Sequence, residues 1–145
     1  MELLPKSKLP HIETTIFTVM SALADEYQAL NLSQGFPDFD PPDELLDRVS
    51  FYLNNCYNQY PPMSGVLPLR VSISDKIKTV YGVEADPERE ITVTAGATEA
   101  LYCAITSIVR PNDEVVMFDP CYDSYDPVVS LNGGIPKHLE MRSPD

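Results

Sequence analysis

The chain has 145 residues, of which 43% are hydrophobic and 22% charged, and these proportions are typical of a globular protein rather than a disordered one. Its formal net charge of −12, with only 10 basic residues scattered along the sequence, excludes the basic stripe that binds nucleic acid. No apolar run approaches the roughly 20 residues of a membrane-spanning helix, so we expect neither a nucleic-acid nor a membrane partner.

The first elements predicted along the chain are a helix and a short strand. Apolar residues recur at helical spacing from Ile16 to Leu30, and Thr14 or Thr15 precedes them as the expected N-cap. A short strand is expected over residues 32–36, before prolines interrupt regular structure.

Two more helices are predicted before the middle of the chain. The second is expected to begin at a cap formed by Asp40 or Asp43 and to end near Cys56. Residues 58–66 contain two prolines, a glycine and a serine, so this loop is expected to be irregular. The third helix follows the loop, with Gly82 as its stop signal.

The second half of the chain alternates between strands and helices. Strands are expected over residues 91–94, 114–118 and 135–141, with helices over residues 97–109 and 122–131 between them. Because strands that alternate with helices form right-handed crossovers, the pattern predicts an α/β fold built on a parallel sheet.

A turn of small residues joins the first strand of this half to the helix behind it. The first N–H groups of a helix lack intrahelical partners and lie at the positive end of its dipole, so they bind phosphate without a basic side chain. Gly96 and Ala97 permit close approach, and Thr98 adds a hydroxyl. Tyr122 offers an aromatic ring at the carboxyl edge of the same sheet. A packing junction and a core aromatic are the alternatives, but the pair favours a phosphorylated cofactor that contains a ring.

Four motifs occur in one order along the chain. They are NLSQGFPDF at residues 31–39, NQYPPMSG at residues 58–65, TAGATEA at residues 94–100 and DPCYDSY at residues 119–125. Together they closely resemble the N-terminal part of the class I/II, fold type I, pyridoxal-phosphate-dependent aminotransferases. The motif sequences are most similar to those of the methionine and kynurenine aminotransferase branch of that family.

The resemblance implies a partial fold type I aminotransferase. Residues 1–40 correspond to an N-terminal arm and a small-domain segment, and residues 41–145 to the incomplete N-terminal part of the large domain that binds pyridoxal 5′-phosphate. The lysine that forms the Schiff base with the cofactor lies further along in the family, so no catalytic residue is assigned in this chain. We therefore expect an N-terminal fragment that is inactive alone.

The resemblance also assigns residues to the cofactor. Gly96, Ala97 and Thr98 correspond to the phosphate cradle, and Tyr122 to the aromatic ring that stacks on the pyridine. Tyr60 corresponds to a tyrosine that crosses a dimer interface to the phosphate of the partner subunit's cofactor, and it therefore implies a dimer. An ordinary surface tyrosine in a proline-rich loop is the alternative for Tyr60.

Substrate contacts follow from the same resemblance. Gly35 corresponds to the point where the backbone approaches the substrate carboxylate, and Phe17 and Phe36 correspond to apolar walls of the substrate pocket. For Phe17, packing in the helix core is an equal alternative. Arg70 lies behind the Tyr60 loop, and for it we expect a salt bridge rather than substrate binding.

The implied reaction transfers an amino group from methionine, aromatic amino acids or kynurenine to a 2-oxo acid. A β-lyase activity on cysteine conjugates belongs to the same branch. The alternative function is a non-catalytic remnant or dominant-negative subunit that dimerises with a full-length homologue. A generic nucleotide-binding domain ranks last, because the chain lacks the G-x-G-x-x-G turn.

The cysteines and histidines indicate neither disulfides nor a metal site. Cys56, Cys103 and Cys121 are too widely spaced for a disulfide framework or a CxxC pair, and we expect reduced, partly buried thiols. His11 and His138 have no ligand spacing. The N-terminus has no secretory signal pattern, so a cytoplasmic protein is expected.

Overall fold

The computed structural model of the protein describes residues 6–35 and 37–143. The chain forms two compact units, one drawn from residues 1–35 and 95–145 and the other from residues 36–94. The helices and strands of the described residues are, in chain order, α1 (Ile16–Glu26), α2 (Asp43–Asn54), α3 (Leu67–Tyr81), α4 (Ala97–Ile108), β1 (Glu114–Asp119), α5 (Tyr125–Leu131) and β2 (Ile135–Glu140).

Helix α1 begins where its cap predicts. Thr15 is the N-cap, and its Oγ1 accepts a hydrogen bond from the backbone N–H of Thr18 at 3.4 Å. The strand expected next is wrong for residues 32–35, which form no strand. There the Oδ1 atom of Asn31 accepts hydrogen bonds from the backbone N–H of Ser33 at 3.0 Å and from its hydroxyl at 2.6 Å. This local side-chain turn replaces extended backbone.

The second unit contains α2 and α3. The predicted aspartate cap of α2 is wrong, because Pro42 occupies the N-cap position and Asp43 begins the helix itself. A carboxylate in the first turn still interacts favourably with the helix dipole. Helix α3 ends as predicted at Gly82, which has a φ of 69° and donates its N–H to the carbonyl of Lys78 at 3.0 Å.

The first unit contains the parallel sheet predicted from the alternation of strands and helices. Strand β1 pairs with β2 in parallel, from Glu114 opposite Ile135 to Asp119 opposite Glu140. Helix α5 connects them, and its Val128 and Val129 are buried together with Met117 of β1. This βαβ unit brings the carboxyl ends of both strands to one edge, where the DPCYDSY segment begins.

Two predicted boundaries of the second half need correction. Helix α5 begins at Tyr125 rather than at Tyr122, because residues 122–125 form a turn in which Tyr125 N–H donates to the Tyr122 carbonyl at 3.1 Å. The strand predicted over residues 91–94 is wrong in the described chain. Val93 N–H donates to the Ser64 carbonyl at 3.0 Å, but that acceptor lies in an irregular loop rather than in a neighbouring strand.

Much apolar surface remains accessible in the described chain. On β1 alone, Val116 and Phe118 are each 62% exposed. Parallel sheets are normally covered on both faces, so the exposure of these two side chains is unusual for a parallel strand. None of the helices within residues 6–35 and 37–143 is long and apolar enough to cross a membrane.

We predict that residues 1–145, expressed alone, unfold over a broad temperature range. In the described chain the buried apolar side chains are Ile91, Met117, Val128 and Val129. This core is too small to offset the conformational entropy lost when the chain is ordered. Differential scanning calorimetry measures the transition. A single sharp peak with equal calorimetric and van't Hoff enthalpies would contradict the prediction.

Candidate functional site

The candidate site begins at the N-terminus of helix α4. Gly96 is its N-cap, with φ 88° and ψ 172°, a backbone conformation that essentially only glycine adopts. A Cβ atom built on Gly96 would have no neighbouring atom within 4 Å, so the space beside the turn is open. The carboxylate of Glu99 accepts a short hydrogen bond from the N–H of Ala95. This bond reaches back across the turn and fixes its shape.

Tyr122 is placed next to this turn, although it lies 24 residues further along the chain. Its hydroxyl is 3.5 Å from the Oγ1 atom of Thr98, in the first turn of α4. The Tyr122 residue is 43% exposed, so its side chain is accessible. The ring of Tyr125 contacts that of Tyr122 edge to face, with centroids 5.8 Å apart and an interplanar angle of 74°. Such a contact favours one orientation of the Tyr122 ring.

Thr98 also lines a cavity of about 240 Å³. The N-terminal segment, α4 and the start of α5 contribute its lining: Ile12, Thr15, Thr98, Tyr102, Asp123, Ser124, Pro127 and Val128. Sequence reasoning did not single out Tyr102 or Asp123. The available signals were the spacing of Thr98 and Tyr102, which puts both on one helix face, and the position of Asp123 directly after Tyr122.

Tyr60 belongs to the other unit and is fully exposed. Its loop is ordered by a turn in which Gly65 N–H donates to the carbonyl of Pro62 at 2.8 Å. The phenol is therefore presented on a structured loop.

The residues assigned to substrate remain predictions. Gly35 is exposed, and a Cβ atom built there would meet nothing within 4 Å. Phe17 lies on α1 and is half-buried. Phe36 lies outside the described residues.

The salt bridge predicted for Arg70 is wrong. This residue is only 8% exposed, and its Nε atom donates to the carbonyl of Gly65 at 3.0 Å while its Nη1 atom donates to the carbonyl of Pro87. Carbonyl oxygens therefore satisfy this guanidinium in place of a carboxylate. The helix position of Arg70 gave no sign of this, because both acceptors lie outside the helix.

Lysines of the described chain form surface ion pairs. Lys78 pairs with Glu84 at 2.7 Å, and Lys137 pairs with Glu114 at 3.0 Å. Lys137 meets Glu114 at the amino end of β1, whereas Tyr122 follows its carboxyl end. The geometry thus places Lys137 away from the carboxyl edge that carries the candidate site.

The thiols are free and the metal prediction is unchanged. Cys56 and Cys103 are exposed, which corrects the expectation of partial burial, and Cys121 is half-buried. Within the described ranges no group of three or more His, Cys, Asp or Glu side chains is placed to hold a metal ion.

The geometry of the α4 turn fits a phosphate. An open helix N-terminus, a hydroxyl at Thr98 and an accessible aromatic ring at Tyr122 lie together in one unit. The sequence matches the aminotransferase class I and II family over residues 27–145. The chain belongs to this family. Members of the aminotransferase family use pyridoxal phosphate, which carries both a phosphate and an aromatic ring.

Three relatives show where this aminotransferase chain lies in its family. A solved Escherichia coli structure, described as having a methionine aminotransferase function, is 56% identical with a TM-score of 0.91, and the match covers 98% of this chain and 37% of that one. A probable N-succinyldiaminopimelate aminotransferase of Mycobacterium tuberculosis is 46% identical over 88% of this chain and 32% of its own length. A kynurenine–oxoglutarate transaminase of Dictyostelium discoideum is 34% identical over 95% of this chain and 32% of its own length.

These matches confirm the resemblance to the methionine and kynurenine branch and the partial fold type I architecture. The chain spans about a third of the length of the relatives it matches, between 32% and 37%. The shared part includes the α4 turn and the segment that carries Tyr122.

We predict that Gly96→Ala lowers the free energy of unfolding by about 1 to 3 kcal/mol, because alanine is strained in this backbone conformation. Urea denaturation of the full-length polypeptide measures the change. Gly35→Ala is the matched control, since Gly35 is not in the left-handed region and has open space around it. Its effect is expected to stay within about 0.5 kcal/mol. Equal losses in the two variants would contradict the assignment of strain to Gly96.

Proposed function

We propose that this chain is the N-terminal part of a pyridoxal-phosphate-dependent aminotransferase and supplies its phosphate cradle and aromatic platform. The observation that carries the proposal is the approach of the Tyr122 hydroxyl to within 3.5 Å of Thr98 Oγ1 at the start of α4. This contact joins the TAGATEA and DPCYDSY motifs, which we propose to bind the phosphate and the pyridine ring of the cofactor.

In this proposal the residues divide the work of binding. The N–H groups at the start of α4, from Gly96 to Thr98, would hold the phosphate, and the Thr98 hydroxyl would add a hydrogen bond. The Tyr122 ring would pack on the pyridine and fix its plane, with Tyr125 bracing it. When bound, the cofactor supplies an electron-accepting ring that stabilises negative charge at the substrate Cα.

We assign the parent enzyme amino-group transfer from methionine, aromatic amino acids or kynurenine to a 2-oxo acid. Methionine is the first donor to test, because the relative described as a methionine aminotransferase is 56% identical. The Mycobacterium tuberculosis relative, at 46% identity, makes N-succinyldiaminopimelate a necessary comparison. Gly35, Phe17 and Phe36 are the proposed substrate contacts, and a β-lyase activity is a side reaction of the same proposal.

The proposed domain division assigns residues 1–40 to the arm and small domain and residues 41–145 to the large domain. No residue of this chain is proposed as the catalytic lysine, because the Schiff-base lysine of the family lies further along than the motifs found here. Lys78 and Lys137 are in addition held in surface ion pairs. The 145 residues alone are therefore proposed to be inactive.

The intact mass of the polypeptide in the cell separates an aminotransferase from a non-catalytic subunit. A mass well above 16.2 kDa supports an aminotransferase, whereas a mass near it supports a non-catalytic subunit that dimerises with a full-length homologue.

Dimerisation and location complete the proposal. A fully exposed phenol at Tyr60 suits a contact made across a subunit interface. We propose a homodimer in which the Tyr60 hydroxyl donates a hydrogen bond to the phosphate of the partner subunit's cofactor. Sedimentation equilibrium of the full-length polypeptide tests this, and a monomer at micromolar concentration would contradict it.

The proposed cytoplasmic location agrees with three free thiols, which a reducing compartment preserves. Cell fractionation tests it, and recovery in a secreted fraction would contradict it.

We predict that the full-length polypeptide transfers the amino group of methionine to a 2-oxo acid in the presence of pyridoxal phosphate. The assay follows 2-oxo acid formation from methionine, phenylalanine, kynurenine and N-succinyldiaminopimelate side by side. Methionine is expected to give the highest kcat/KM. The absence of transfer from all four donors would contradict the proposed function, and a preference for another donor would correct only the substrate.

A second prediction concerns the stacking role of Tyr122. Tyr122→Leu is expected to weaken pyridoxal phosphate binding about fivefold, because an aromatic contact contributes on the order of 1 kcal/mol beyond burial. Tyr122→Phe is the matched control, since it keeps the ring and removes only the hydroxyl. Equilibrium binding to the cofactor-free protein, followed by absorbance, measures both variants. Equal losses in the two would assign the effect to the hydroxyl and would contradict stacking.

A further inference from the structure

Arg70 is a buried charged residue that the proposed function does not use. It lies on helix α3, is 8% exposed, and donates hydrogen bonds to two main-chain carbonyls, those of Gly65 and Pro87. No carboxylate of the described residues forms a salt bridge with it. Burying a cation costs desolvation free energy. Hydrogen bonds to two firmly held carbonyl oxygens offset this cost for Arg70.

The first acceptor closes the Tyr60 loop. Gly65 has a φ of +94°, and a Cβ atom there would lie 2.7 Å from a methyl carbon of Val93. The preceding carbonyl, of Ser64, accepts the N–H of Val93 at 3.0 Å. Arg70 and Val93 therefore hold two successive carbonyls of the loop, and the backbone of Gly65 is packed so closely that a side chain does not fit.

The fixed end of the loop connects directly to Tyr60. The turn from Pro62 to Gly65 is closed by a 2.8 Å backbone hydrogen bond, and Pro61 and Pro62 restrict the backbone between that turn and Tyr60. Tyr60 itself is fully exposed. Its position is therefore set by the stem, residues 61–65, rather than by packing of its ring in the described chain.

We propose that Arg70 is a positioning residue for phosphate recognition. By holding Gly65, it fixes the 61–65 stem so that the Tyr60 hydroxyl is presented to the phosphate of the partner subunit's cofactor. This inference rests on the proposed function, in which Tyr60 donates that hydrogen bond. Because Tyr60 addresses the phosphate alone, the contribution of Arg70 is to pyridoxal phosphate binding and not to pyridoxal binding.

The experiment compares the two ligands on the full-length polypeptide, purified as holoenzyme and then stripped of cofactor. Dissociation constants for pyridoxal phosphate and for pyridoxal are measured for the unmodified protein, Tyr60→Phe, Arg70→Gln and the double variant. A hydrogen bond to a charged phosphate corresponds to a change of about tenfold, so each single variant is expected to weaken pyridoxal phosphate by about that factor. Pyridoxal affinity is expected to be unchanged, and the double variant to lose no more than either single one.

Two further variants test specificity. Lys78→Gln removes an exposed charge from the same helix and is expected to bind both ligands normally. Arg70→Lys keeps the charge but cannot reach both carbonyls with one ammonium group, so an intermediate loss of pyridoxal phosphate is expected. Hydrogen exchange at residues 63–66 is expected to accelerate in Arg70→Gln and not in Lys78→Gln.

The outcomes separate the inference from the proposal beneath it. If Tyr60→Phe binds pyridoxal phosphate normally, the proposed role of Tyr60 is wrong and the inference fails with it. If Tyr60→Phe is weakened but Arg70→Gln is not, or if Arg70→Gln loses both ligands equally, only the inference is wrong. Should Arg70→Gln fail to fold, Arg70→Lys decides: a selective loss of pyridoxal phosphate supports the positioning role, and no loss or an equal loss overturns it.

Discussion

A chain with a net charge of −12 does not attract a phosphate by its overall field, so a phosphate site in it depends on local hydrogen-bond donors. The start of helix α4 meets this requirement through Gly96, whose backbone conformation is adopted essentially only by glycine. Gly96 is the N-cap of α4, and a Cβ atom built on it would meet no atom within 4 Å, so the space beside the turn is open. Thr98 follows in the first turn of this helix, and its Oγ1 atom lies 3.5 Å from the Tyr122 hydroxyl.

The sequence predicts best those features whose causes lie close together in the chain. Gly82 ends α3 in the left-handed conformation that its residue type indicates, and alternating elements predict the parallel pairing of β1 with β2. The extended segment at residues 91–94 shows the limit of this reasoning. Its β-branched residues indicate an extended backbone, but a strand also needs a partner strand, and its observed hydrogen bond goes to Ser64 in a loop.

The candidate site could be predicted in its parts but not in its assembly. Small residues before a helix indicate an anion site, and this identifies Gly96, Ala97 and Thr98 without any knowledge of tertiary structure. Tyr122 lies 24 residues from Thr98 in the sequence, and only the fold brings the two side chains together. Arg70 is the clearest failure, because its acceptors lie 5 and 17 residues away and are main-chain atoms that no residue type reveals.

The two elements assigned to the phosphate differ in what holds them. Thr98 is part of a helix and needs no further support, whereas Tyr60 projects from a loop and would lose binding free energy if that loop had to be ordered at the moment of binding. A buried guanidinium answers this need better than an ammonium group, because its planar geometry lets Nε and Nη1 hold two carbonyls at once. Burying Arg70 costs desolvation free energy, and in return the Tyr60 loop is already ordered when the cofactor phosphate binds.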